Sequence, residues 1–196
     1  VGASRGLGFE FVRQLLGCGC RVVASHQPER QGRLTELLSK EAGESGMLAA
    51  SPLQLLPMDV SSEKSIVAAA KSLKAINGEA PILTHIIHCA GILDTEGWEL
   101  RSVEKHAMMR VLEVNTLGPT LVAKYFADAM ISRGGALLPV LALLSSRLGS
   151  MTENRGGGGY AYRASVAALN AVAASLAADF AGHVSVVLLD PGYVRT

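Results

Sequence analysis

The chain has 196 residues, 49% of them hydrophobic and 18% charged, which suits one domain with a single sizeable core and argues against disorder. A net charge of +1, with no block of lysine and arginine, argues against a nucleic-acid surface. The longest apolar run, residues 136–144, contains Pro139 and is too short to span a bilayer. In chain order, a glycine-rich turn at residues 2–8 leads into a helix in which Phe9, Val12, Leu15 and Leu16 recur at helical spacing, and Gly17 to Gly19 end it. A β-branched strand is expected at 21–24, a helix at 33–38, a polar loop at 42–52 and a strand at 53–56. Ser61 or Ser62 caps a helix at 62–76, and a continuous apolar strand follows at 83–88. One long helix is expected at 103–131, a strand at 140–144, a helix at 162–180 and a last strand at 184–189. This alternation is that of βαβ units in an α/β fold with a doubly wound parallel sheet, a Rossmann fold in one domain over 1–196. Val1 stands where a first strand should already have ended and Thr196 just after a strand, so the first and last strands are expected to be missing from the chain.

Cys18, Cys20 and Cys89 make an odd number without scaffold spacing, which suits free thiols in a soluble, cytoplasmic protein. Cys18-Gly19-Cys20 has no second ligand pair at metal spacing, so no metal is expected.

The turn Gly2-Ala3-Ser4-Arg5-Gly6-Leu7-Gly8 lets backbone approach a pyrophosphate and presents the free N–H groups and positive end of a helix. A purely structural turn can also require glycine, but this one sits at the first βα junction of the pattern. After the 21–24 strand, Ser25-His26-Gln27 offers no acidic residue to hold ribose hydroxyls until Glu29. Arg5 with Ser25, His26 or Arg30 could instead meet a 2′-phosphate, which favours NADP over NAD. The alternative is that these are solvated surface groups.

With the spacing of Gly2, Gly6 and Gly8, and further motifs in order, the chain resembles the short-chain dehydrogenase/reductase family over essentially its whole length. Those motifs are Asp59-Val60, Cys89-Ala90-Gly91 where the family usually has Asn-Ala-Gly, and Val114-Asn115. Ser145-Ser146-Arg147-Leu148-Gly149, Tyr162-Arg163-Ala164-Ser165 and Asp190-Pro191-Gly192-Tyr193-Val194-Arg195-Thr196 follow. The glycines 156–159 before Tyr160-Ala161-Tyr162 look most like carbonyl reductases related to sniffer and to bacterial C-factor. The resemblance implies that Asp59 and Val60 contact adenine and that Cys89, Ala90 and Gly91 line the cofactor site. It implies that Pro191, Gly192 and Val194 pack on the nicotinamide and that Asn115, Ser146 and Tyr162 are catalytic, Tyr162 also touching cofactor. The tyrosine would give a proton to a carbonyl as hydride arrives, the serine would hold the carbonyl oxygen, and the asparagine would fix a water. Singly, each has a plainer reading as a turn cap, a helix hydrogen bond or a packing aromatic.

The family's lysine, four residues after the tyrosine, is Val166 here, and no lysine follows Lys124. Arg163 is the nearest cation but lies about a quarter-turn away on the helix. Two function classes remain open: an oxidoreductase acting on a carbonyl or alcohol, or a catalytically impaired dinucleotide-binding protein. Ala164, Ala167, Ala168, Ala171, Ala173, Ala174, Ala177 and Ala178 crowd the Tyr162 helix with small residues, and a homodimer or homotetramer through it and the Asn115 helix is expected.

Overall fold

The computed structural model describes residues 1–42, 51–76, 83–130 and 137–194. Among the described residues the elements are, in order, α1 Gly6–Gly17, β1 Val22–His26, α2 Gly32–Ala42, β2 Leu53–Pro57, α3 Glu63–Ile76, β3 His85–His88, α4 Lys105–Leu112, α5 Gly118–Met130, β4 Val140–Leu144, α6 Tyr160–Asp179 and β5 Ser185–Leu189. Between α4 and α5 the backbone widens into a π-helical turn at Glu113–Leu117, so the single helix expected at 103–131 is three segments in succession. Ser62 supplies the expected cap of α3, its Oγ accepting from Ser65 N at 3.3 Å. Most of the loop expected at 42–52 lies outside the described residues, as do Arg195 and Thr196.

All strand pairs are parallel, as the βαβ pattern requires, but they form two sheets rather than one: β1 with β2, and β3 with β4 and β5. The division falls between β1 and β3, and residues 1–3 bridge it. Val1 N donates to Ile87 O at 2.6 Å, Cys89 N donates to Val1 O at 2.9 Å, and Ala3 N donates to Ser25 O at 2.8 Å. Among the described residues the facing edges of β1 and β3 are unpaired beyond residues 1–3, at the place where the βαβ pattern leads a first strand to be expected.

Helices cover both sheet faces. Leu53 and Leu56, three apart on β2, point to opposite faces. Leu53 joins Ala3, Val12, Ala24 and Leu34 under α1 and α2. Leu56 joins Ile66, Leu73, Val122, Phe126, Leu141, Leu143 and Leu169 under α3, α5 and α6. Each such leucine or isoleucine contributes about 1.5–3 kcal/mol on burial, so the packing of both faces decides the strand register. His88 sits within this interior; burial pushes its imidazole down to about 3, so it is neutral.

Candidate functional site

At the C-terminal ends of β1 to β4 a cavity of about 280 Å³ collects the glycine turn and several side chains. Of the residues expected at a cofactor site, Gly2, Ser4, Arg5, Gly6, Leu7, Gly8, His26, Asp59, Val60, Cys89, Ala90 and Gly91 line it. The glycines are required by contact. A Cβ on Gly2 would lie 2.7 Å from Ala90 N, and one on Gly8 would lie 2.2 Å from Gly2 O. Gly2 and Gly6 also take left-handed φ values of 76° and 55°. Arg5 caps α1 by backbone alone, with no side-chain hydrogen bond and no acidic residue in the first turn. The first amides of α1 are thus left without side-chain partners, which suits an anion.

Ser25 lies below the cavity. It is buried, and its Oγ accepts from Gly2 N at 3.3 Å, so it shapes the turn from beneath. His26 is also buried, 2% exposed, but reaches the cavity wall. Its Nδ1 lies 2.8 Å from the Gln27 carbonyl and must donate to it. Its Nε2 has no hydrogen-bond partner among the described residues. Burial works against the Asp59 carboxylate, yet hydrogen bonds from Ser61 and Gln27 and the nearby Arg110 charge hold its pKa below the usual value.

Gln27, Met58, Ile92, Val114, Leu144 and above all Arg110 also line the cavity and were not legible as site residues. Arg110 adds a third guanidinium to those of Arg5 and Arg30, against the carboxylates of Asp59 and of Glu113, which pairs with Arg110 at 2.8 Å. That balance suits a polyanionic ligand, and the close-fitting turn, the cationic rim and the orphaned His26 nitrogen together fit a dinucleotide.

Asn115, Ser146 and Tyr162 stand outside this cavity's wall. Asn115 lies in the π-helical turn, buried, and pairs with Ile92 as one strand pairs with another: its Oδ1 accepts from Ile92 N and its Nδ2 donates to Ile92 O, both at 2.9 Å. Its Nδ2 also donates to Ser165 Oγ at 3.0 Å, and Ser165 Oγ in turn donates to Tyr162 O at 2.8 Å. The side chain therefore ties α6 to the segment after β3. The structure brings Ser146 and Tyr162 together. Burial raises the Tyr162 phenol above its ordinary value, the Ser146 hydroxyl beside it lowers it, and the Asp190 carboxylate raises it again. Asp190 also accepts from Arg147 N at 3.2 Å and Gly192 N at 2.9 Å, fixing the serine turn to the loop that carries Pro191, Gly192 and Val194. Those three residues are exposed.

Val166 is 3% exposed and packs on Gly149, where a Cβ would lie 2.9 Å from Val166 Cγ1. Among the described residues no cation replaces the lysine: Arg163 instead donates from Nε to Gly158 O at 3.0 Å and from Nη1 to Leu148 O at 3.3 Å. No group of residues able to hold a metal, and no helix long and apolar enough to cross a membrane, occurs among the described residues.

The family profile "short chain dehydrogenase" matches residues 1–196. The chain is 31% identical over 198 residues to the 1-hydroxy-2-glutathionyl-2-methyl-3-butene dehydrogenase of Rhodococcus sp. strain AD45, covering 100% of this chain and 76% of that one. Its fold is similar to carbonyl reductase Sniffer of D. melanogaster, with TM-score 0.84 and 26% identity over 100% of this chain and 79% of that one. It is equally similar to a short-chain dehydrogenase/reductase from Burkholderia multivorans with bound NADP, with TM-score 0.83 and 27% identity over 100% and 78%.

Proposed function

This chain belongs to the short-chain dehydrogenase family of NAD(P)-dependent oxidoreductases, and we propose that it binds NADPH in preference to NADH and reduces a small carbonyl compound to the alcohol. The observation that carries this reading is the close-fitting glycine turn of the cavity, together with Ser146 beside Tyr162, two residues past Leu144 of β4, which lines that cavity. When bound, the cofactor supplies the hydride. The chain's own residues hold and deliver the proton: Ser146 Oγ is placed to hold a carbonyl oxygen, and Tyr162, un-ionised at neutral pH, is placed to protonate it. Gly2, Ser4, Arg5, Gly6, Leu7 and Gly8 would hold the pyrophosphate, and Asp59 and Val60 the adenine. Arg5, Arg30 and Arg110 would surround the 2′-phosphate, while Cys89, Ala90, Gly91, Pro191, Gly192 and Val194 would border the nicotinamide half.

NADPH is expected to bind roughly tenfold more tightly than NADH, because one charge-assisted contact to an additional phosphate contributes about 1.5 kcal/mol. Fluorescence titration of both nucleotides measures this, and equal affinities would refute the assignment of the three arginines.

A second reading has its own support in buried Val166 and the occupied Arg163. With no cation beside Tyr162, the chain would bind dinucleotide but turn over slowly. Under either reading we propose self-association. On α6, Ala171, Ala174, Ala177 and Ala178 are exposed, small enough for another helix to approach closely. Light scattering at micromolar concentration should give the mass of a homodimer or homotetramer; a monomer would rule this surface out.

A further inference from the structure

The glycine run before α6 lies outside the dinucleotide cavity's wall. Gly157, Gly158 and Gly159 all take left-handed φ, at 64°, 68° and 60°. Gly158 and Gly159 lie against the indole of Trp98, which comes from the loop between β3 and α4. A Cβ on Gly158 would meet Trp98 Nε1 at 2.6 Å, and one on Gly159 would meet Cζ3 at 2.9 Å. Gly159 N donates to Trp98 O at 2.7 Å, so backbone and ring grip the same turn. The tryptophan is itself held: Gly97 N donates to Asp94 Oδ1 at 3.0 Å, closing the turn that presents it.

Gly159 is the N-cap of α6, and Tyr162 follows in its first turn. Arg163 spans the two sides of this arrangement, from Gly158 O in the clasped turn to Leu148 O, two residues past Ser146. Leu148 N in turn donates to Ser146 Oγ at 3.2 Å. One connected set of contacts thus runs from Trp98 through the glycines and Arg163 to Ser146 Oγ, and Tyr162 adjoins Arg163 in the first turn of α6.

We propose that Trp98 is a positioning residue, whose indole clasps the Gly158–Gly159 backbone and so sets the place of the Tyr162 hydroxyl relative to Ser146. This rests on Tyr162 being the proton donor. Gly158 and Gly159 are then required because a side chain on either would stand where the indole lies. The ring is still 38% exposed, so the clasp lies at the surface and not in the core.

Trp98→Ala, Trp98→Phe and Gly158→Ala are compared with the unaltered protein, with NADPH bound. Hydrogen exchange of the Gly159 and Arg163 amides is expected to quicken about tenfold or more in Trp98→Ala and Gly158→Ala, while α3 and β4 stay protected. Single-turnover reduction of a diketone should slow by about tenfold or more in the same two variants, since small misplacements of reacting groups are costly, with NADPH affinity unchanged within about twofold. Trp98→Phe, which keeps a flat ring, should recover most of both. Unchanged exchange in Trp98→Ala would overturn the clasp. Quickened exchange with an unchanged rate would overturn the positioning role. If Tyr162→Phe also leaves the rate unchanged, the proton-donor reading has failed instead, and the exchange result still decides the clasp.

Discussion

Val166→Lys is expected to raise the single-turnover rate of NADPH-dependent carbonyl reduction by about tenfold or more. Position 166 is one helical turn beyond Tyr162 on α6, so a lysine there emerges on the same face. Its ammonium would favour the ionised phenol against the burial and the Asp190 carboxylate that now hold it protonated. Each pKa unit of lowering corresponds to about 1.4 kcal/mol, and general acid–base effects amount to about 10²–10⁴, so tenfold is a floor. The pH dependence gives the sign. Alcohol oxidation needs the phenolate, so in the chain as it stands its rate should climb through pH 10, the ordinary tyrosine value of about 10 being exceeded here. In Val166→Lys that inflection should move to lower pH. The substitution replaces a buried valine packed on Gly149, and a lower melting temperature without nucleotide, largely regained with NADPH, is expected. Equal rates for both proteins with NADPH bound, or activity that survives Tyr162→Phe, would refute the placement of the proton donor.

Gly8→Ala is expected to weaken NADPH binding at least about a hundredfold, equivalent to about 2.7 kcal/mol. The new Cβ would stand 2.2 Å from Gly2 O and 2.9 Å from Gly2 C. Both are backbone atoms held on two sides, through Gly2 N on Ser25 and through the bridge of residues 1–3, so neither can move cheaply. Relief of the clash must push α1 away from the turn that aims its amides at the pyrophosphate. Gly17→Ala is the matched control: nothing lies within 4 Å of its added Cβ, and it should bind normally. Calorimetric titration of both variants settles the matter, and wild-type affinity in Gly8→Ala would show that the turn is not the binding element.

Much of this was legible in the sequence because it is local. A glycine turn announces itself by residue type, and helices and strands by period, so the elements around Val22, Leu53, Ile66, Val140 and Leu169 were placed within a residue or two. Serine and tyrosine were read from motif order, and the structure brings them together. What escaped depends on contacts distant in sequence. The π-helical turn at Asn115 needs Ile92 from another segment to hold it, and no side-chain period marks it. Arg110 reads as one of several exposed arginines until α4 is folded over Asp59. Arg163 looked like the cation nearest the tyrosine, whereas both its polar contacts are to loop carbonyls. The start of α6 at Tyr160, two residues ahead of expectation, follows from the left-handed cap at Gly159.

The dinucleotide cavity draws its wall from segments far apart in the chain, with Gly2 to Gly8 and His26 on one side and Ala90, Arg110 and Val114 on the other. A ligand seated there ties those segments to one another. At a hundredfold excess over its dissociation constant it adds about 2.7 kcal/mol to the stability of the folded chain.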